Sequence, residues 1–311
     1  MQSTAAANRK SKLSYKFYKQ RYLLIMSVPF LVWIFIFCFG PISGWLMAFQ
    51  DFNPNKGIFG SPWVGLKHFI ALFSSKQILL VMRNTVVISI LGILTGNICP
   101  LVFALSLNEV KNAPFKRTIQ TISYLPHFVS FVVVANIFLT VFSVDGVFNT
   151  IMINLGLISN PTQVWADKNS FWGMITFVNV WKEIGWNSII YLAAIASIDM
   201  EQYEAATIDG CGRFSRMWYI TIPSILPMAM ILWILSMGDI FNAGFDASYL
   251  LGNPVTRETS EVIDTYVFRI GIENGMFSFS TAVTLFKIFA GFIMVFITNS
   301  IAKKHTEHSL W

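Results

Sequence analysis

Two groups of polar and aromatic residues interrupt otherwise apolar stretches of this 311-residue chain. Asn179, Lys182, Glu183, Trp186 and Asn187 recur at three- and four-residue spacings, which puts them on one face of a helix. Trp233, Ser236, Asp239, Asn242 and Asp246 repeat the pattern further on. Ionisable groups in a bilayer are costly, so both stripes must face something other than lipid. Two arrangements fit. Lys182, Glu183, Trp186, Asn187, Ser236, Asp239 and Asn242 form the wall of a path for a polar solute, or Lys182 pairs with Glu183 or Asp239 and the rest make hydrogen bonds between helices.

Covalent chemistry has no comparable basis. HExxH and GxSxG signatures do not occur, and the carboxylates Asp145, Asp167, Glu258, Glu261 and Asp264 are dispersed. Cys38, Cys99 and Cys211 lie in unrelated segments without CxxC spacing, the pattern of small buried apolar residues and not of a zinc site. His305 and His308 flank Glu307 near the end of the chain, where metal binding is not expected, and His127, beside Pro126, reads as a packing or hydrogen-bonded residue. With no GxxxxGK[ST], this chain is expected to bind no cofactor of its own.

The elements that carry the stripes follow from composition. The chain is 55% hydrophobic and only 12% charged, with a mean hydropathy of +0.60, beyond the range of ordinary soluble domains. Six runs are long enough to cross the hydrocarbon layer: Tyr22–Phe39, Thr85–Leu107, Ile122–Phe142, Trp172–Ile198, Ile220–Phe241 and Thr281–Ile301. Continuous apolar runs exclude a β-barrel. The first follows the basic leader Arg9, Lys10, Lys12, Lys16, Lys19 and Arg21 and reads as a retained signal anchor.

Cations on alternate loops set the orientation. Placing the leader with Lys111, Lys116, Arg117, Arg213, Arg216, Lys303 and Lys304 inside leaves fewer outside, so both termini are expected in the cytoplasm. The net charge of +6 is scattered between apolar runs, which points to anionic lipid and topology and away from nucleic acid. The expected layout is a basic segment over residues 1–21, one six-span membrane domain over 22–302, and a tail over 303–311. The outer segments Phe49–Met82 and Ala243–Ser280 are long and expected to be structured, and Lys287 near the outer end of the sixth span is expected to snorkel.

The loop over 199–223 is the most informative stretch. A short helix with an acidic face is expected from Glu201 to Asp209, a break at Gly210 and Gly212, and a second short amphipathic helix carrying Phe214, Met217 and Trp218 up to Pro223. Glu204-Ala205-Ala206, three residues, Gly210, nine residues, then Ile220-Thr221-Ile222-Pro223 resembles the EAA loop of ABC importer permeases, with Ile222 where Leu is usual. Trp63-Val64-Gly65-Leu66-Lys67-His68-Phe69, Asn84-Thr85, Tyr124-Leu125-Pro126-His127-Phe128 and Val262-Ile263-Asp264-Thr265-Tyr266-Val267 extend the resemblance along the chain, toward the LplB group of carbohydrate importers related to the maltose permeases.

The resemblance implies an all-α fold of six transmembrane helices, the type I importer permease, in the bacterial cytoplasmic membrane. It also implies a second permease subunit, two cytoplasmic ATPases that bind ATP and Mg, an extracytoplasmic solute-binding protein and an oligosaccharide substrate. Glu204, Ala205, Ala206, Asp209, Gly210, Ile220 and Pro223 would then couple this chain to the ATPase, and the two polar stripes would meet the sugar's hydroxyl edges and apolar faces. An ATP-independent transporter and a membrane-embedded enzyme are the competing classes. The first predicts solute flux from this chain alone, and the second needs a catalytic constellation at the membrane surface.

Overall fold

The computed structural model describes residues 19–305, so Arg9, Lys10, Lys12 and Lys16 of the leader and Glu307 and His308 of the tail lie outside the described residues. The chain divides into two compact units, one ending at His68 and the other beginning at Phe69.

In the first unit a helical stretch runs over Arg21–Phe49, 29 residues. It passes from an α-helix (Arg21–Ile34) through a π turn (Phe35–Phe39) to a 3-10 segment (Gly40–Phe49), so it extends ten residues past the expected Phe39 end. Ser27 and Ser43 return their hydroxyls to the carbonyls of Leu24 and Gly40, which keeps these groups paired within an apolar helix. Beyond it, Ser61 accepts from the Asn53 amide and donates to the Gly57 carbonyl, closing the turn built on Asn53-Pro54-Asn55-Lys56-Gly57. Lys67 pairs with Asp51 at 2.8 Å and holds that carboxyl below its ordinary pKa.

The second unit is helical throughout its ordered elements. Lys76–Asn108 forms the second span and Phe277–His305 the sixth. Four described helices are long and apolar enough to cross a membrane, and a bent pair makes a fifth if it counts as one span. Phe171–Ala196, the fourth span, has the length, at 26 residues, but its polar stripe lowers its apolarity. Buried Phe171, Ile175 and Val178 pack on one side of it with Val134, Ala135 and Phe138, while Tyr191 and Ile195 meet Ala104, Ile225 and Ala229.

Two expectations about where helices break are corrected. The third span is not one helix over 122–142: Ala113–Phe128 and Phe131–Val141 meet at 104°. Val129 is extended, Pro126 supplies no amide, and Ser130 caps the second piece, so the chain leaves the helix between the two. The second short helix of the 199–223 loop is also not separate. Arg213–Met237 is a continuous helical run of 25 residues whose first turns lead directly into the fifth span. A π turn at Met217–Thr221 precedes Pro223, which has no N–H to give the carbonyl a turn earlier; a widened turn accommodates that gap.

The segment after the fifth span is structured, as expected, by helices at Phe245–Leu251, Arg257–Ser260 and Ile263–Phe268. The second span holds it in place. Asn84 donates to the carbonyls of Glu258 and Glu261, and the Ile263 amide donates to Thr85. Glu261 binds Arg269 at 2.7 Å and raises the pKa of that guanidinium. Lys287, on the sixth span, pairs with Asp264, because this segment brings a carboxylate to it, and both side chains are mostly buried.

Candidate functional site

A cavity of about 450 Å³ opens between the second, fourth and fifth spans and the start of the following segment. Its second-span wall is thin because Gly92 and Gly96 carry no side chain, and a Cβ on either would meet open space. Of the stripe residues, Asn179, Glu183, Asn187, Ser236, Asp239, Asn242 and Asp246 line the cavity. Ser236 is held on two sides, donating to the Leu232 carbonyl at 2.7 Å and accepting from Asn97 at 3.2 Å. Asn97 also accepts from the Tyr191 hydroxyl, so one buried amide ties three spans together. Asn242 and Asp239 approach to 3.5 Å.

Lys182 and Trp186 are not among the lining residues. The break in the third span accounts for both. A helix end leaves carbonyls without amide partners, and in an apolar setting they need another donor. Lys182 reaches across from the fourth span and donates to the His127 carbonyl at 2.8 Å and to Glu183 at 3.0 Å. Its partner is therefore Glu183, and the alternative pairing with Asp239 is corrected. The second carboxylate oxygen of Glu183 meets His127 Nδ1 at 2.7 Å, and the imidazole stacks on Trp186 with centroids 4.2 Å apart.

His127 was expected to be a packing or hydrogen-bonded residue, and it is both; that its hydrogen-bond partner is a cavity carboxylate was not part of that expectation. The only signal was its place beside Pro126, next to a helix end. Gly185 permits this junction, since a Cβ there would lie 2.1 Å from the Ser123 carbonyl oxygen.

The 199–223 loop begins with Asp199, whose side chain accepts from the Glu201 amide and caps the helix Met200–Ile208. Gly210 ends that helix at φ +76°, a conformation that disfavours residues with a Cβ. Cys211 donates to the Ala206 carbonyl and Gly210 to that of Thr207, the paired bonds of a Schellman turn. Two side-chain clamps then fasten the short helix to the base of the fifth span: Tyr203 to Thr221 at 2.8 Å, and Arg216 to Thr207 at 2.8 Å.

Glu204, Ala205, Asp209, Gly210 and Pro223 are exposed, while Ala206 and Ile220 are half-buried. Ile208 and Phe214, exposed by 87% and 83%, flank the turn and give the loop an apolar outer tip. Such a tip on a rigid hairpin suits a groove on another protein.

Comparison with known proteins gives a consistent result. The sequence profile described as "Binding-protein-dependent transport system inner membrane component" matches residues 88–306. The polygalacturonan/rhamnogalacturonan transport system permease protein YteP of Bacillus subtilis (strain 168) is 40% identical over 304 residues, 97% of this chain and 94% of YteP. Protein LplB of the same organism is 41% identical over 294 residues, covering 94% and 92% of the two chains. Among solved structures, a chain of a bacterial ABC transporter involved in the import of the acidic polysaccharide alginate superposes with a TM-score of 0.87 at 34% identity, over 95% of this chain and 99% of that one.

Proposed function

The chain belongs to the family of binding-protein-dependent transport system inner membrane components, and from that membership we propose that it forms one half of the translocation path of an ATP-driven glycan importer. The observation that carries this reading is the continuity between the 199–223 loop and the cavity. The exposed hairpin is clamped to the base of the Arg213–Met237 helix, and the far end of that helix brings Ser236 to the cavity wall. A pull on the hairpin therefore moves one wall as a rigid body.

In this reading Glu204, Ala205, Ala206, Asp209, Gly210, Ile220 and Pro223 seat the hairpin in a cleft of a cytoplasmic ATPase, and that partner binds ATP and Mg. A second permease subunit supplies the opposite wall. Both termini lie in the cytoplasm, and the segment after the fifth span faces the solute-binding protein outside. The glycan substrate is supported by the named substrates of YteP and of the alginate transporter. A complex of the alginate transporter with a periplasmic protein carrying an alginate pentasaccharide supports delivery by a binding protein.

The hairpin provides the test. Proline cannot adopt the positive φ of residue 210, so Gly210→Pro should abolish uptake and weaken ATPase docking while the spans stay inserted. Glu204→Lys should do the same through charge. ATP hydrolysis that is still stimulated by the loaded binding protein in Gly210→Pro would refute the assignment.

A further inference from the structure

We infer that His127 is a positioning residue of the cavity: it carries its proton on Nδ1 and through that bond fixes the Glu183 carboxylate as an acceptor for hydroxyl groups of the transported glycan. The part given to the glycan rests on the transport reading above. Among the described residues three carboxylates line the cavity, Glu183, Asp239 and Asp246, and only Glu183 has both oxygens bonded. Lys182 holds Oε1 at 3.0 Å and His127 Nδ1 holds Oε2 at 2.7 Å. A free glutamate samples several rotamers, whereas a donor on each oxygen leaves its carboxylate one orientation. The side chain is still 34% exposed, so a solute in the cavity reaches it. A carboxylate offers about four lone-pair sites, and two donors leave about two for sugar hydroxyls. Lys182 offsets the charge, so Glu183 can meet the hydroxyls of neutral and acidic glycans alike.

The imidazole is itself held in place. It lies parallel to Trp186 with centroids 4.2 Å apart and edge-on to Phe128 at 5.4 Å. These two rings fix its plane and turn Nδ1 toward Glu183. All the contacts lie within this chain, so the arrangement is complete without a residue of the second permease.

The break in the third span does not by itself call for this bond. Lys182 takes the His127 carbonyl, the Val129 amide donates to the Pro126 carbonyl, and Ser130 accepts from the Val133 amide. Other groups therefore pair the backbone there, and the imidazole bonds a side chain at the cavity instead. A carboxylate that also takes an ammonium acts as an acceptor, which puts the imidazole proton on Nδ1.

The test crosses two variants in the complete importer, reconstituted with its binding protein and given trigalacturonate or an alginate pentasaccharide as probe. His127→Phe keeps a ring against Trp186 and removes the donor, whereas His127→Asn removes the ring and keeps a donor near the Nδ1 position. Uptake per ATP hydrolysed should fall at least about tenfold in His127→Phe, with hydrolysis still stimulated by the loaded binding protein, and stay within about threefold of wild type in His127→Asn. In a Glu183→Met background, His127→Phe should cost nothing further. The inference is overturned if His127→Phe transports normally, if His127→Asn loses as much as His127→Phe, or if His127→Phe adds a loss in the Glu183→Met background. A second readout needs no transport. Solid-state NMR of the importer with nitrogen-15-labelled histidine in this chain should show a protonated Nδ1, assigned to His127 by its loss in His127→Asn, that shifts in Glu183→Met. An Nδ1 that is unprotonated, or unmoved in Glu183→Met, overturns the inference by itself. Uptake of neither probe by the wild-type importer would count against the glycan-transport reading, and the Nδ1 signal then decides the inference.

Discussion

Lys182 and Gly96 show how single residues divide the work at the cavity. Lys182 has only 11% of its side chain exposed, and its ammonium joins a carbonyl freed by the broken third span to the carboxylate of Glu183. Lys182→Met removes both bonds and leaves that carboxylate with His127 alone. The expected loss of stability is about 1–3 kcal/mol, less than for a fully buried pair because Glu183 remains a third exposed. Thermal unfolding in detergent would measure it, and adding Glu183→Gln should recover part of the loss; no recovery would show that the pairing is not the cause. Gly96 makes the opposite prediction. A side chain there enters open space at the cavity, and replacing glycine in a helix gains up to about 1 kcal/mol in propensity. Gly96→Leu should therefore leave the melting temperature unchanged or raised while cutting uptake at least about tenfold.

At the scale of elements, the fourth span positions the site through its approach to the third. A methyl group on Gly185 would overlap the backbone of Ser123, which cannot rotate away as a side chain can. Gly185→Ala should force the helices apart at a cost of about 1–3 kcal/mol, lowering both the unfolding temperature and uptake. Normal stability and transport in this variant would mean that the close approach is not needed. The segment after the fifth span is held differently, by polar bonds to the second span and by surface pairs. Lys168 keeps the Glu258 carboxyl below its ordinary pKa. That contribution is present above the ordinary carboxylate pKa and is lost as the pH falls through the depressed value. Both groups are exposed, so the backbone bonds from Asn84 carry more of the anchoring.

For the whole molecule, the proposed function places the opposite cavity wall and the ATP site on partner chains. Proteoliposomes holding this chain alone should give no glycan uptake, and uptake should appear only with the second permease, the ATPase and the binding protein. Flux from the chain alone would instead support an ATP-independent transporter.

Much of this was legible in the sequence, because span length, the helical spacing of polar residues and the glycine turn of the loop depend on local chemistry. Hydropathy located the helical runs, and three- and four-residue spacing placed Glu183, Asn187, Ser236, Asp239 and Asn242 on faces that meet at the cavity. The tertiary structure decided how those faces are used. Lys182 and Trp186 share the stripe of Glu183, but the 104° break in the third span leaves a carbonyl to satisfy and an imidazole to stack, and the two side chains turn there. Periodicity records which face of its own helix a residue occupies. Whether that face meets a cavity, a broken helix end or a neighbouring backbone depends on residues far apart in the chain, which only packing brings together.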